Sequence, residues 1–306
     1  MYGLPTAASL TDELTRLLSD IPAKANELPK ELSGLMVFGR HGDRVMEFCD
    51  LLARAGSYSI DTFLEQQGER LRGIGKELIV ALLCRKLLEL EKSLTWGEFF
   101  LQNMREKRYR WDDDWLRETF DKMRRRSLSP DDFMSGNQVN FITFNFDRMI
   151  ELRLANAAAA LWSAQLKTDG QTALRTWAAE RVLHVHGTLV PPATEAELTT
   201  EWIRQNASTI HIARDEVSDD TKARARKLLE EAERLCFLGF SFDEDNLAKL
   251  SIPAVLGKGK LSCIVGTAYQ MPANESRLSA MRCGNAVTLY NEKCLDLLQN
   301  RNVFVE

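Results

Sequence analysis

The sequence predicts an α/β protein with a parallel sheet covered by helices on both faces and a helical insertion ahead of it. Three observations predict this. Short apolar stretches such as Val139–Phe144 and Leu235–Phe240 have strand composition. Helical stretches separate them. Three of the apolar stretches run into polar, sharply turning sequence, which is where open parallel sheets bind ligands.

The elements follow in order. Gly3-Leu4-Pro5 precedes a short helix that Thr11 or Ser9 can cap. Asp12 and Glu13 suit its positive end, and Leu14, Leu17 and Leu18 form its apolar stripe. Pro22 and Pro29 bracket a loop. A second helix is expected from Asp43 to Arg54, stopped by Gly56. From there to Ser135 the chain reads as mostly helical. Gly75–Glu91 carries a wide apolar face of Leu78, Ile79, Leu82, Leu83 and Leu87, which predicts burial against several neighbours. Thr95 and Glu98 have capping-box spacing. Asp113–Arg126 is acidic at its start and basic at its end, as the helix dipole favours. Pro130, Gly136 and Asn137 close the region.

Val139–Phe144 is then a strand and Arg148–Trp162 a helix. Arg181–Val185 is a second strand, Lys222–Arg234 a helix and Leu235–Phe240 a third strand. Leu261–Val265 and Ala286–Tyr290 are the fourth and fifth. No repeat or low-complexity segment interrupts this pattern.

Composition narrows the function classes. The 306 residues are 44% hydrophobic and 27% charged, enough to build a large core. A formal charge of −4 argues against a generally basic nucleic-acid binder. A local basic run remains, with Lys122, Arg124, Arg125 and Arg126, and with Arg105, Lys107, Arg108 and Arg110 among Tyr109, Trp111 and Trp115. Such rings can stack on bases. Asp112, Asp113 and Asp114 break the run, so a solvated helix face is the expectation. No apolar run approaches the ~20 residues of a membrane helix, and the N-terminus has no leader pattern. The six cysteines form no CxxC pair, so no zinc module is expected. Cys84, Cys236 and Cys263 read as buried core thiols, and a reducing cytoplasm suits the chain.

The candidate site is built from strand ends. The first is Asn145-Phe146-Asp147, the second His186-Gly187-Thr188, the third Gly239-Phe240-Ser241-Phe242-Asp243. Glycine lets backbone approach a ligand, and a helix starting beside such a turn offers N–H groups to an anion. Each residue also has a plain structural reading. Asp147 can cap the following helix and Asn145 can satisfy a turn. Gly239 can be a turn glycine. His184, two residues from His186, reads as a satisfied core histidine, since no carboxylate or cysteine at ligand spacing supports a metal.

These motifs resemble a known family. Thr143-Phe144-Asn145-Phe146-Asp147, followed by Glu151, resembles the Asn-x-Asp element of sirtuins, and especially of sirtuin-like NADases from bacterial anti-phage defence systems. His184-Val185-His186-Gly187-Thr188 resembles their His-Gly element, and Leu238–Asn246 the Gly-x-Ser segment that lines the cofactor ribose. Ser59–Leu64 resembles a segment of the defence subgroup. The resemblance implies a Rossmann-like (sirtuin-like) domain over 1–306, with a helix-rich insertion at 57–135 and the main part at 136–306. It places Tyr2–Thr6 just after the family's phosphate-cradling Gly-Ala-Gly turn, so that turn and the first strand are not expected in this chain. The zinc-binding cysteines of deacetylating sirtuins are also absent from the sequence, which favours NAD hydrolysis over deacetylation.

The resemblance implies NAD as substrate and roles for particular residues. Asn145 would orient the ribose or the attacking water, and His186 would accept a proton. Asp147 would bind the nicotinamide carboxamide, beside Gly187. Gly239 and Ser241 would contact the adenosine-side ribose, with Asp243 and Asn246 alongside or only starting the next helix. It also implies a homo-oligomer under the control of a trigger or a regulatory partner chain. The alternative class is a non-catalytic sensor of NAD or ADP-ribose.

Overall fold

The computed structural model describes residues 38–56, 60–93, 114–192, 194, 197–212, 215–256 and 261–304. Tyr2–Thr6, the first helix, Ser59 and the Thr95–Glu98 capping box lie outside them. The chain divides into two compact units. The first takes in the described part of 1–109 with Asn145–Asp147 and His186–Glu216. The second comprises Arg110–Phe144, Arg148–Val185 and Val217–Glu306.

The first unit is helical. The helices Phe38–Ala55, Ile60–Glu65, Glu69–Ser93 and Thr200–Ala207 enclose one core. Glu69–Ser93 starts earlier than Gly75 and is hidden on every side through its middle: Leu78 to Cys84 are all buried. Helix Phe38–Ala55 covers one side of it and helix Thr200–Ala207 another, as the wide apolar face requires. Phe48 and Phe63 meet edge to face at 5.4 Å in this core.

The second unit holds the strands. Strand β1 (Phe141–Thr143) pairs in parallel with β2 (Val182–His184), Thr143 opposite His184. Strands β3 (Arg234–Phe237), β4 (Cys263–Thr267) and β5 (Thr288–Tyr290) form a second parallel ladder in that order. All five predicted strands are present: β1, β2 and β5 are shorter than expected, β3 begins one residue earlier at Arg234 and ends at Phe237, and β4 is shifted to end at Thr267. They form two ladders rather than the one sheet expected, and side chains join the ladders where backbone bonds do not. Leu183 and Val185 pack with Phe237 and Phe242, and the rings of Phe144 and Phe240 sit 5.7 Å apart. Helix Met149–Leu161 covers this unit with Gly170–Glu180 around Phe133, Trp162 and Trp177. Trp177 donates its indole N–H to the Met134 carbonyl at 2.9 Å, satisfying its one polar atom.

Local chemistry explains the shifted boundaries. Helix Trp115–Arg124 begins after Asp114, whose carboxylate caps the Arg117 N–H at 3.0 Å and is held by Arg153 at 3.1 Å. The helix expected from Lys222 spans Asp219–Glu231, because Ser218 caps the Thr221 N–H. Pro130–Gly136 is a helix where only a closing segment was expected. Ser129 caps it and Pro130 takes the first turn, where its missing N–H costs nothing. The basic run on Trp115–Arg124 pairs with acids of its own helix, Lys122 with Glu118 and Arg124 with Asp121.

The cysteine expectation needs a correction. Cys84 is buried as expected, but Cys236 and Cys263 keep some exposure, while Cys283 is fully inside. Burial still pushes the Cys236 thiol up to about 12, with Cys294 and Cys263 adding to the effect. In native protein at about pH 8, Cys236 is therefore expected to resist iodoacetamide, which attacks thiolates. Mass spectrometry of its peptide before and after unfolding checks this. Rapid labelling of the native form would show an accessible thiolate instead. Among the described residues, no helix is long and apolar enough to cross a membrane.

Candidate functional site

The first two strand ends fall in the first unit, and the backbone brings them together. The Phe146 carbonyl accepts the Leu189 N–H at 2.8 Å. The Phe146 and His186 rings lie 6.2 Å apart at 34°. Asn145 is exposed, Asp147 half-buried and His186 only 8% exposed. The segment thus presents an amide, a carboxylate and a sheltered imidazole along two adjoining turns.

Asp147 is not at the N-cap of the next helix. That position belongs to Arg148, whose side chain makes no capping bond.

Gly187 is where glycine is required. Its φ is +87°, and a Cβ placed there would lie 2.2 Å from the Thr209 carbonyl oxygen. The chain can turn after His186 only without a side chain at 187. The next bond fixes the turn from the other side: the His211 N–H donates to the His186 carbonyl at 2.8 Å.

In the second unit, the strand that leads to this turn is anchored by His184. Its Nε2 meets Glu151 Oε1 at 2.9 Å, with both side chains almost fully buried. Arg148 Nε stands 3.7 Å from the same oxygen. Glu151 Oε2 is buried and lacks a hydrogen-bond partner among the described residues. His184 is thus an engaged core histidine. Glu151→Ala is expected to cost about 2 kcal/mol, because it removes the partner of a buried polar atom. A thermal midpoint unchanged from wild type would contradict this.

The third strand end also lies in the second unit. Gly239, with φ +64°, donates its N–H to the Thr267 hydroxyl at 2.8 Å. Thr267 is buried at the end of β4 and had no sequence signal; only the register of β3 on β4 brings it here. Ser241 donates to the Asp243 carboxylate. Asn246 Nδ2 donates to Asp243 Oδ2 at 2.5 Å and approaches Ser241 Oγ at 3.3 Å. Asp243 also caps helix Glu244–Lys249 through the Asn246 N–H at 2.8 Å. Both residues therefore start that helix, as one reading of them required. The amide of Asn246 is oriented by Asp243, and its Oδ1 is left as a buried acceptor without a partner among the described residues. Between Ser241 and Asp243, Phe242 adopts φ +55° while fully buried. A bulky residue in that region is strained, and the ring contacts with Phe237 at 5.1 Å and Phe240 at 5.0 Å hold it.

Among the described residues, no group of three His, Cys, Asp or Glu side chains is arranged to hold a metal. The side chains named at these strand ends are the Asn145 and Asn246 amides, the Asp147 and Asp243 carboxylates, the Ser241 and Thr267 hydroxyls and the His186 imidazole.

Residues 139–255 match the family model of the SIR2-like domain. The match spans Asn145, Asp147, His186, Gly187, Gly239, Ser241, Asp243 and Asn246, and it points to NAD-related chemistry. No curated protein and no solved structure matches the chain.

Proposed function

We propose that the chain is an NAD glycohydrolase. The observation that carries the proposal is the joining of Asn145–Asp147 to the His186 turn, inside the stretch that matches a SIR2-like domain. In this reaction the bond between the nicotinamide nitrogen and C1′ of the ribose breaks. Its electron pair returns to the pyridinium ring, which leaves neutral, so the leaving group needs no acid. A water oxygen bonds to C1′, and a water proton passes through His186 to solvent. The products are ADP-ribose, nicotinamide and a proton.

The protein must stabilise positive charge on the ribose and place the water. Asn145 does this with its amide oxygen. His186 takes the proton, a task that imidazole suits near neutral pH. Asp147 receives the nicotinamide carboxamide, next to the Gly187 backbone. Gly239 and Ser241 face the adenosine-side ribose, with Asp243 and Asn246 orienting Ser241. In the cell the outcome is depletion of NAD in the cytoplasm, as in bacterial defence against phage. The chain would act as a homo-oligomer that a trigger or a regulatory partner chain switches on.

The test is incubation of purified protein with NAD, following nicotinamide by chromatography. Release of nicotinamide with equimolar ADP-ribose supports hydrolysis. Calorimetric binding of ADP-ribose by folded protein without any release would instead assign a sensor.

A further inference from the structure

We propose that Lys76, Arg72 and Asp215 form a clasp that positions His186, an inference that rests on the hydrolytic role given to that residue above. All of its parts lie in the first unit. Arg72 and Lys76 are four residues apart on helix Glu69–Ser93 and share one face. Asp215 Oδ1 accepts from Arg72 and Oδ2 from Lys76, each at 2.5 Å. Oδ2 also accepts the Ile212 N–H at 3.0 Å. The Asp215 N–H donates back to the Ile212 carbonyl at 2.8 Å, so two bonds join these residues.

Lys76 makes the link that matters. Besides Asp215, it donates to the Ile210 carbonyl at 3.0 Å. Ile210 and Ile212 have no exposed surface and insert into the core that this helix helps to form. His211, between them, gives its N–H to the His186 carbonyl at 2.8 Å. Backbone and side-chain bonds thus lead from the helix through Lys76, Ile210 and His211 to His186. Gly187 pressed against the Thr209 carbonyl closes the same strip from its other end.

The pairing is built to stay charged. Burial raises the pKa of Asp215, but the Lys76 hydrogen bond, the Ile212 N–H and the charges of Lys76 and Arg72 together hold it below its ordinary 3.8. Its contribution is therefore complete above pH 3.8 and fades only as pH falls through the lowered value. The Lys76 and Asp215 side chains are 19% and 16% exposed, so salt screens them less than surface ions. Without the carboxylate, two cations would face each other on adjacent turns and the Ile212 N–H would lose its acceptor.

A proton acceptor works only when held at its reacting distance, and displacement by about 1 Å can cost about 100-fold. The clasp would supply that hold without touching substrate. Amide exchange read by NMR, together with NAD hydrolysis, tests this on the full chain as wild type, Asp215→Asn and Lys76→Gln. In both variants the His211 amide is expected to exchange at least about tenfold faster, while the amides of helix Met149–Leu161 keep their rates. The kcat for NAD should fall about tenfold or more with KM within about threefold of wild type. Unchanged His211 exchange would overturn the clasp, as would equal acceleration along the whole chain, or faster exchange with kcat unaltered. If wild type releases no nicotinamide, the hydrolytic reading fails by itself, and the exchange rates alone decide whether the clasp holds this turn.

Discussion

His186→Ala is expected to lose at least about 100-fold in NAD hydrolysis, the low end for removing a general base. The backbone of residue 186 is held by bonds that do not use the imidazole, namely the His211 N–H to its carbonyl and the turn at Gly187. The variant should therefore keep the fold and the same circular dichroism, with a melting midpoint lowered only by the loss of a buried ring. The loss should then appear in kcat, because what has gone is the proton acceptor and not the pocket wall. Nicotinamide release at saturating NAD measures it. Equal rates in the two proteins would remove His186 from the mechanism and leave the hydrolase assignment without its base.

Gly187→Ala acts on the same turn by a different route. A φ of +87° is unfavourable for alanine, and the new Cβ would meet the Thr209 oxygen at 2.2 Å. That oxygen is backbone and does not swing aside like a side-chain tip. Its neighbour Ile210 is fully buried, and His211 is bonded to His186. The turn at 187 must therefore give way. Backbone strain of about 1–2 kcal/mol and overpacking of similar size sum to a loss of about 3 kcal/mol. Urea unfolding should show a lower midpoint, and activity should fall with it, since the turn carries His186. A change below about 0.5 kcal/mol, as at an ordinary surface position, would mean that the turn and Thr209 are not packed this way.

These two variants separate chemistry from support. One removes the group and keeps the turn, and the other disturbs the turn and keeps the group. The clasp variants form a third case, in which neither the group nor the turn is altered but the segment beneath both is loosened.

Much of the local structure was legible along the chain. The strand composition of Val139–Phe144 and Leu235–Phe240, and the turns after them, are short-range signals that need no distant partner. The helix ends moved by a few residues where a capping side chain stood outside the apolar pattern, as Ser218 and Asp114 do. The helix at Pro130–Gly136 was there to be found in Ser129-Pro130-Asp131-Asp132, a cap followed by a proline and acids in the first turn. The site was legible only as residue types at strand ends. Nothing in the sequence around Gly239 indicates that its N–H will meet the Thr267 hydroxyl, a bond across 28 positions. Lys76 and Asp215 are 139 positions apart, and neither stands in a motif.

By itself, the sequence determined the alternation of strands and helices, the turning sequences that follow three strands, and the residue types offered there. Amphipathic period, β-branched and aromatic composition and turn residues act between near neighbours, so they can be read without a fold. The tertiary structure decided the rest. It divided five strands into two ladders, paired His184 with Glu151, and closed the His186 turn on Thr209–His211. Those outcomes depend on which distant surfaces pack together. The same amide, imidazole or carboxylate in another register would have had other partners and another use.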